Sequence, residues 1–283
     1  MTNGNYLRTL WRRLTPLYDE GEARAVVRYM LEIGCSLDTA DIYCTDDDTI
    51  PQAQTAKIEA MMRRLAKGEP VQYVTGTATF MGRNFAVKPG VLIPREETAG
   101  LCGIVKERAE TRETNILDIG TGSGCIAITL ALDLPQAHVT AWDILPTALE
   151  TARRNARTLG ASVEITRQDM LNAPGDDRRR WDIIVSNPPY VCRKERVSMH
   201  RNVLDYEPAE ALFVPDSDPL KFYRAITAYA AKALAAGGSL FFEINPLYSD
   251  ELAYMVAGAG LADVRIINDD YGKKRYLSAR RDI

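Results

Sequence analysis

The stretch Asn115-Ile-Leu-Asp-Ile-Gly-Thr-Gly-Ser-Gly124 limits what this chain can fold into more than any other. An apolar run enters a turn carrying Gly120, Gly122 and Gly124, and a helical pattern begins at Cys125. Glycines at such a turn let the backbone bend tightly and let a ligand approach it closely. A strand feeding a helix this way belongs to an alternating α/β arrangement. Strand patterns recur at Ile116–Ile119, His138–Trp142, Ser162–Thr166, Trp181–Ser186 and Ser239–Ile244. Helical patterns fall at Cys125–Leu132, Pro146–Leu159, Pro219–Ala235 and Leu247–Ala259. Val264–Ile267 and Arg275–Ser278 follow without a helix between them, which predicts antiparallel neighbours. The expected fold class is α/β, a doubly wound, mostly parallel sheet with an antiparallel terminal hairpin, plus a small helical N-terminal domain.

The region before this sheet reads differently. From Asn5 to Gly68 the pattern is helical, with Tyr6, Leu7, Leu10 and Leu14 on one face and Ile58, Met61, Met62 and Leu65 on another. Thr49-Ile50-Pro51 reads as the start of the last of these helices. From Val71 to Val87 the pattern turns to strand, with a turn at Met81-Gly82-Arg83-Asn84. Pro89-Gly90 and Pro94 are expected to break further regular structure. The predicted division is 1–70 helical, 71–94 a β-hairpin linker and 95–283 the α/β domain.

Two motifs carry chemistry. The first is the glycine loop, Gly120-Thr121-Gly122-Ser123-Gly124, followed at the end of the next strand by Asp143. An acid there can accept both hydroxyls of a ribose, so a nucleoside ligand is implied. The spacing is one residue short of the dinucleotide fingerprint, and no pyrophosphate cradle is evident. A tight turn without a ligand is the plainer alternative. The second motif is Asn187-Pro188-Pro189-Tyr190, directly after the strand Trp181–Ser186. In an open α/β sheet that position is the carboxyl edge, where ligands bind. Consecutive prolines fix the backbone. The Asn187 side chain and the Pro188 carbonyl can accept from one planar NH2 group, and Tyr190 can stack on it. The bland alternative is a rigid loop.

Composition narrows the field. The chain has 35 Lys+Arg against 38 Asp+Glu, a net charge of −3, which argues against binding naked nucleic acid by charge alone. Cys35, Cys44, Cys102, Cys125 and Cys192 form no C-x-x-C and read as reduced thiols of a cytoplasmic protein. Cys125 opens a helix, yet packing is its expected role. No apolar run is long enough to cross a membrane, and Met1–Leu17 has no apolar core of a secretory leader. Two histidines without a ligand set predict no metal site.

Taken together, the two motifs resemble the class I S-adenosylmethionine-dependent methyltransferases that act on amino nitrogens. Further text sharpens this: Gly68-Glu-Pro-Val-Gln-Tyr-Val-Thr-Gly76, Phe80-Met-Gly82 and Val91-Leu-Ile-Pro-Arg-Glu-Glu-Thr98. As a set they resemble the HemK/PrmC family of release factor glutamine methyltransferases over nearly the whole chain. The resemblance implies methyl transfer from S-adenosylmethionine to the glutamine side-chain amide in the Gly-Gly-Gln motif of class 1 peptide chain release factors. It implies that Gly120–Gly124 hold the methionine portion, Asp143 the ribose, and Asp169 and Met170 the adenine. Asn187, Pro188, Pro189 and Tyr190 would grip the substrate amide, with Asn187 also facing the cofactor. By resemblance Phe80 helps wall the transfer site and Tyr206-Glu207-Pro208 orders the pocket wall. The 1–70 region becomes a substrate-docking domain, and ribosome association stays open; no membrane or direct DNA partner is expected.

The chain departs from the family pattern in places. Ala99 stands where the Pro-Arg-Pro-Glu-Thr-Glu pattern has a second acid, so no role carries over to it. Met170 replaces an aromatic residue of some relatives, and Met can still pack on adenine. Asn245-Pro246 replaces a more usual glycine after Glu243. Asp46-Asp47-Asp48 and Arg178-Arg179-Arg180 read as solvated loops. Arg193, Lys194, Arg196 and Arg201 stand nearer the chemistry and are candidates for substrate docking. Two other functions stay open: a DNA or RNA amino-methyltransferase, and a non-catalytic module that merely binds S-adenosylmethionine.

Overall fold

A computed structural model of the chain describes residues 3–37, 52–109, 113–174 and 180–282. Asp46–Asp48, Cys44, Thr49–Pro51 and Arg178–Arg179 lie outside the described residues. The chain forms two compact units, one from Met1–Ala78, Val87–Pro89 and Met199–Glu207, the other from Thr79–Ala86, Gly90–Ser198 and Pro208–Ile283.

The smaller unit is helical. Helices α1 (Asn3–Arg12), α2 (Glu20–Tyr29) and α3 (Gln52–Leu65) present apolar residues at helical spacing. Leu10, Leu14, Val27, Met30, Leu31, Ile58, Met62 and Leu65 bury together as its core. Asp19 caps α2, its side chain accepting from the Glu22 amide at 2.8 Å. The expected strand from Val71 is corrected here: Val71–Thr75 is a short helix, α4. Pro70 precedes its first turn and Gly76, at φ +75°, ends it. The Arg64 guanidinium donates to the carbonyls of Tyr73 and Val74 near the end of this helix. Strand structure begins only at Thr77–Phe80 and returns at Arg83–Ala86. The two-residue connection Met81-Gly82 has positive φ at both positions, the twist that suits a tight hairpin.

The larger unit carries a seven-stranded sheet: β1 (Thr114–Ile119), β2 (Ala137–Asp143), β3 (Val163–Arg167), β4 (Trp181–Ser186), β5 (Leu234–Glu243), β6 (Ala262–Asn268) and β7 (Lys274–Arg280). Their spatial order is β6-β7-β5-β4-β1-β2-β3. Pairings are parallel from β3 through β5, and β7 is antiparallel to both β5 and β6. The central strands are apolar on both faces, as a buried parallel sheet requires. Ile116, Ile183 and Val185 face helices α5 (Glu96–Ala109), α6 (Cys125–Asp133) and α7 (Pro146–Leu159). Leu117, Ile119 and Ile184 face α8 (Lys221–Ala233) and α9 (Ser249–Gly258) on the other side. No helix among the described residues is long and apolar enough to cross a membrane.

Residues 87–95 around Pro89-Gly90 and Pro94 have no regular structure, as expected, and helix α5, absent from the sequence-derived helical patterns, begins directly after them. Glu96 and Glu97 lie in its first turn and Lys106 and Arg108 in its last, matching the helix dipole. Leu101, Cys102 and Val105 form its buried stripe.

Candidate active site

Strand register sets the site. Ile119 pairs with Trp142 on one side and with Ser186 on the other, and Ser186 pairs with Phe242. The next residues along these four strands are Gly120, Asp143, Asn187 and Glu243, so all four emerge in one row at the carboxyl edge. The sheet order reverses beside β1, which makes this edge the switch point where α/β sheets bind ligands. The Ser186 hydroxyl donates to the Ile119 carbonyl at 2.6 Å and ties two strand ends together.

The glycine loop is held by its neighbours. The amides of Gly120 and Thr121 both donate to the Trp142 carbonyl. Gly122 has φ +56° and nothing within 4 Å of where a Cβ would stand, so it leaves open space at the cavity wall. Gly124 is the opposite case: a Cβ there would meet Ile128 Cδ1 at 2.7 Å and Ala152 Cβ at 3.2 Å, so its absence lets α6 and α7 pack closely. Asn155 on α7 supports the loop from behind, donating to the Ser123 carbonyl at 2.8 Å.

Asp143 is buried and braces the same loop. Its Oδ2 accepts from the Gly122 amide and its Oδ1 from the Leu145 amide, each at 2.9 Å. Burial pushes its carboxyl up, and the amides of Leu145, Gly122 and Ile144 hold it back. Each oxygen keeps a further lone pair for a ligand hydroxyl. Asp169 accepts from the Leu171 amide at 2.9 Å and from Asn172 Nδ2 at 2.6 Å, which sets the turn bearing Met170 and Leu171.

These residues surround a cavity of about 390 Å³, within the range of small-molecule sites. Its walls include Gly120–Ser123, Asp143, Ile144, Asp169, Met170, Asn187 and Pro189, closed by the segment Gly90–Arg95 and Thr98. The lining suits a nucleoside: a carboxylate at one strand end to accept from hydroxyls, a side-chain-free turn, and Met170, Leu171 and Ile144 to pack on the face of a base. Of the sequence-derived candidates, Gly124, Pro188 and Tyr190 do not line this cavity. Pro188 is buried, and the Tyr190 hydroxyl donates to Glu243 Oε1 at 3.1 Å. Phe80 does not line it either; it packs edge-on to Phe85 in the core, the inward choice on a strand of alternating burial. Tyr206 and Glu207 are likewise absent from its walls, and the Tyr206 hydroxyl donates to the Lys67 carbonyl at 3.0 Å. Cys125 is buried, which pushes its thiol up to about 12 and fits packing rather than reactivity.

Two groups escaped the sequence reading. Glu243 is almost wholly buried at the end of β5, and Thr98 on α5 donates to its Oε2 at 2.7 Å. The available signal was an acid closing the run Leu240-Phe241-Phe242, since a buried acid needs partners. The other is Asp118, wholly buried on β1, which accepts from the Thr121 hydroxyl at 2.6 Å. Burial pushes its carboxyl up to about 7, against the pull of the Thr121 hydroxyl and the Ala127 amide and with a smaller push from Asp143. The folded chain therefore holds this proton up to a higher pH than the unfolded chain does. Its contribution to stability is complete below about pH 4 and drains away as pH rises to about 7. Chemical denaturation should show wild type losing about 2 kcal/mol more than Asp118→Asn between pH 5 and pH 8. Parallel pH profiles of the two proteins would remove Asp118 as the source.

Fold and site together define a class I methyltransferase. A methyltransferase from Pyrococcus furiosus superposes with a TM-score of 0.55 at 18% identity, covering 82% of this chain and 99% of that one. Residues 89–207 match the methyltransferase small domain, and residues 7–76 match the PrmC N-terminal domain. The release factor glutamine methyltransferase of Bacteroides thetaiotaomicron is 47% identical over 269 residues, 95% of this chain and 96% of that protein. The enzyme of the same name from Flavobacterium psychrophilum is 38% identical over 277 residues, 96% and 97% of the two chains. The chain belongs to the family of release factor glutamine methyltransferases.

Proposed function

We propose that this chain transfers a methyl group from S-adenosylmethionine to the side-chain amide nitrogen of the glutamine in the Gly-Gly-Gln motif of class 1 peptide chain release factors. The observation that carries this reading is the placement of Asn187 at the wall of a cavity that also presents Asp143 and the glycine loop. When bound, S-adenosylmethionine supplies an electrophilic methyl group on a sulfonium sulfur. Gly120–Gly124 hold its methionine portion, Asp143 accepts from its ribose hydroxyls, and Asp169 and Met170 flank its adenine. Asn187 and Pro189 meet the substrate amide at the cavity wall, and Pro188 and Tyr190 shape the loop that carries them.

A neutral amide is a poor nucleophile because its nitrogen lone pair is delocalised. Acceptors that fix both N–H groups orient that nitrogen toward the methyl group, and orientation supplies much of the rate. Residues 95–283 carry this chemistry, 1–70 dock the release factor, and 71–94 connect them. The proposed reaction partner is a component of translation, which supports a cytoplasmic location.

The test is transfer of labelled methyl from S-adenosylmethionine to a class 1 release factor, to its Gly-Gly-Gln variant with Gln→Ala, and to duplex DNA. Label on the release factor that vanishes in the variant is the expected result. Label on DNA would replace it with the amino-methyltransferase reading. Cofactor binding with no label on any substrate would point to a non-catalytic module.

A further inference from the structure

A carboxamide has one end that gives hydrogens and one that accepts them, and a site built on Asn187 works only if the correct end faces the substrate. Asn187 Nδ2 lies 3.2 Å from Thr98 Oγ1. The Thr98 hydroxyl has a single hydrogen, and Glu243 Oε2 takes it at 2.7 Å. Toward Asn187 the Thr98 oxygen can therefore only accept. The NH2 end of Asn187 is held by Thr98, and its carbonyl oxygen is left for the cavity that the residue lines.

Glu243 sets the direction of this chain of hydrogens. Burial pushes the Glu243 carboxyl up, and the Thr98 and Tyr190 hydroxyls and Arg275 hold it back. As a carboxylate it accepts through both oxygens, from Thr98 and from the Tyr190 hydroxyl at 3.1 Å. Burial and the nearby Glu243 push the Tyr190 phenol up, so Tyr190 stays a donor. Were Glu243 to give a hydrogen instead, Thr98 would donate to Asn187 and turn its NH2 toward the cavity. A donor would then face the hydrogens of a substrate amide. The loop itself is pinned as well: Asn245 Nδ2 donates to the Tyr190 carbonyl at 3.2 Å while Asn245 Oδ1 accepts from the Leu247 amide at 3.0 Å.

We propose that Thr98 and Glu243 are positioning residues that fix the hydrogen-bond polarity of Asn187, so that the cavity offers an acceptor and selects a planar NH2 group as its nucleophile. This rests on the methyl-transfer reading above. Thr98→Val keeps the shape and removes the hydroxyl, so kcat on the release factor should fall about a hundredfold, with KM for S-adenosylmethionine within about threefold of wild type. Thr98→Ser should recover kcat to within about fivefold, and Glu243→Gln should lose at least about tenfold.

Damage to the fold and loss of positioning differ in a double-mutant cycle. If Thr98 acts through Asn187, adding Thr98→Val to Asn187→Ala costs nothing further. A fully multiplicative loss, or wild-type kcat in Thr98→Val, would overturn the proposal. Wild-type kcat in Glu243→Gln would remove Glu243 from it. A readout free of substrate is the side-chain amide of Asn187 in a nitrogen-15 NMR spectrum, assigned by its absence in Asn187→Ala. One hydrogen should exchange slowly in wild type and at least about tenfold faster in Thr98→Val. Equal exchange in the two proteins would overturn the proposal. Absence of methyl transfer by wild type would instead defeat the functional reading, with the amide signal still deciding the positioning.

Discussion

Asn187→Ala should lower kcat for release factor methylation by about three orders of magnitude, the scale reached when a well-placed hydrogen-bonding group that acts at the transition state is removed. The side chain is half-buried at the cavity wall and donates to Thr98. The fold therefore loses little: circular dichroism should match wild type, and the melting temperature should fall by no more than a few degrees. Kinetics with labelled methyl donor check this. Activity near wild type in a folded variant would remove Asn187 from the mechanism.

Asp143→Ala should act on binding and on stability together. The substitution strips the partner from the part-buried amides of Gly122 and Leu145. Each unsatisfied amide costs about 1–3 kcal/mol, and for a chain of this size a loss of that order lowers the melting temperature by about 5–10 °C. The glycine loop loses its brace at the point where Gly122 opens onto the cavity, and on the proposed function the ribose of S-adenosylmethionine would lose its acceptor. Affinity for S-adenosylmethionine should drop at least about a hundredfold by calorimetry, which corresponds to about 2.7 kcal/mol. Asp143→Asn keeps one acceptor oxygen and should fall between the two. An Asp143→Ala protein that binds the cofactor as wild type does would assign the ribose contact elsewhere.

The α/β order was legible because the central strands β1, β4 and β5 carry short apolar runs and helices α7 and α8 carry a periodic buried stripe. The antiparallel end was legible because β6 and β7 follow each other with no helix between. Helix α5 was not. Gly100 and Gly103 dilute its pattern and Pro94 precedes it, although Glu96, Glu97, Lys106 and Arg108 carried the dipole signal. Val71–Thr75 read as strand because valine, tyrosine and threonine favour strands, whereas Pro70 and Gly76 close a single helical turn around them. At the site, the glycine loop and the Asn187–Tyr190 run stood out because local spacing defines them. Thr98 and Glu243 did not, because their pairing is set by sheet register and helix docking across 145 positions of chain.

That separation bears on how the protein is made. Domains fold as units while the chain leaves the ribosome, at roughly 5–20 residues per second. Thr98 therefore waits about 7–30 seconds for Glu243 to be synthesised. Strand β5 then needs β7, near residue 280, before its far edge is paired. A nascent chain can display its glycine loop and its Asn187 motif long before the last partner arrives. Both partners of the Asn187–Thr98 hydrogen bond are made before the carboxylate that accepts from Thr98, which comes 145 positions after Thr98.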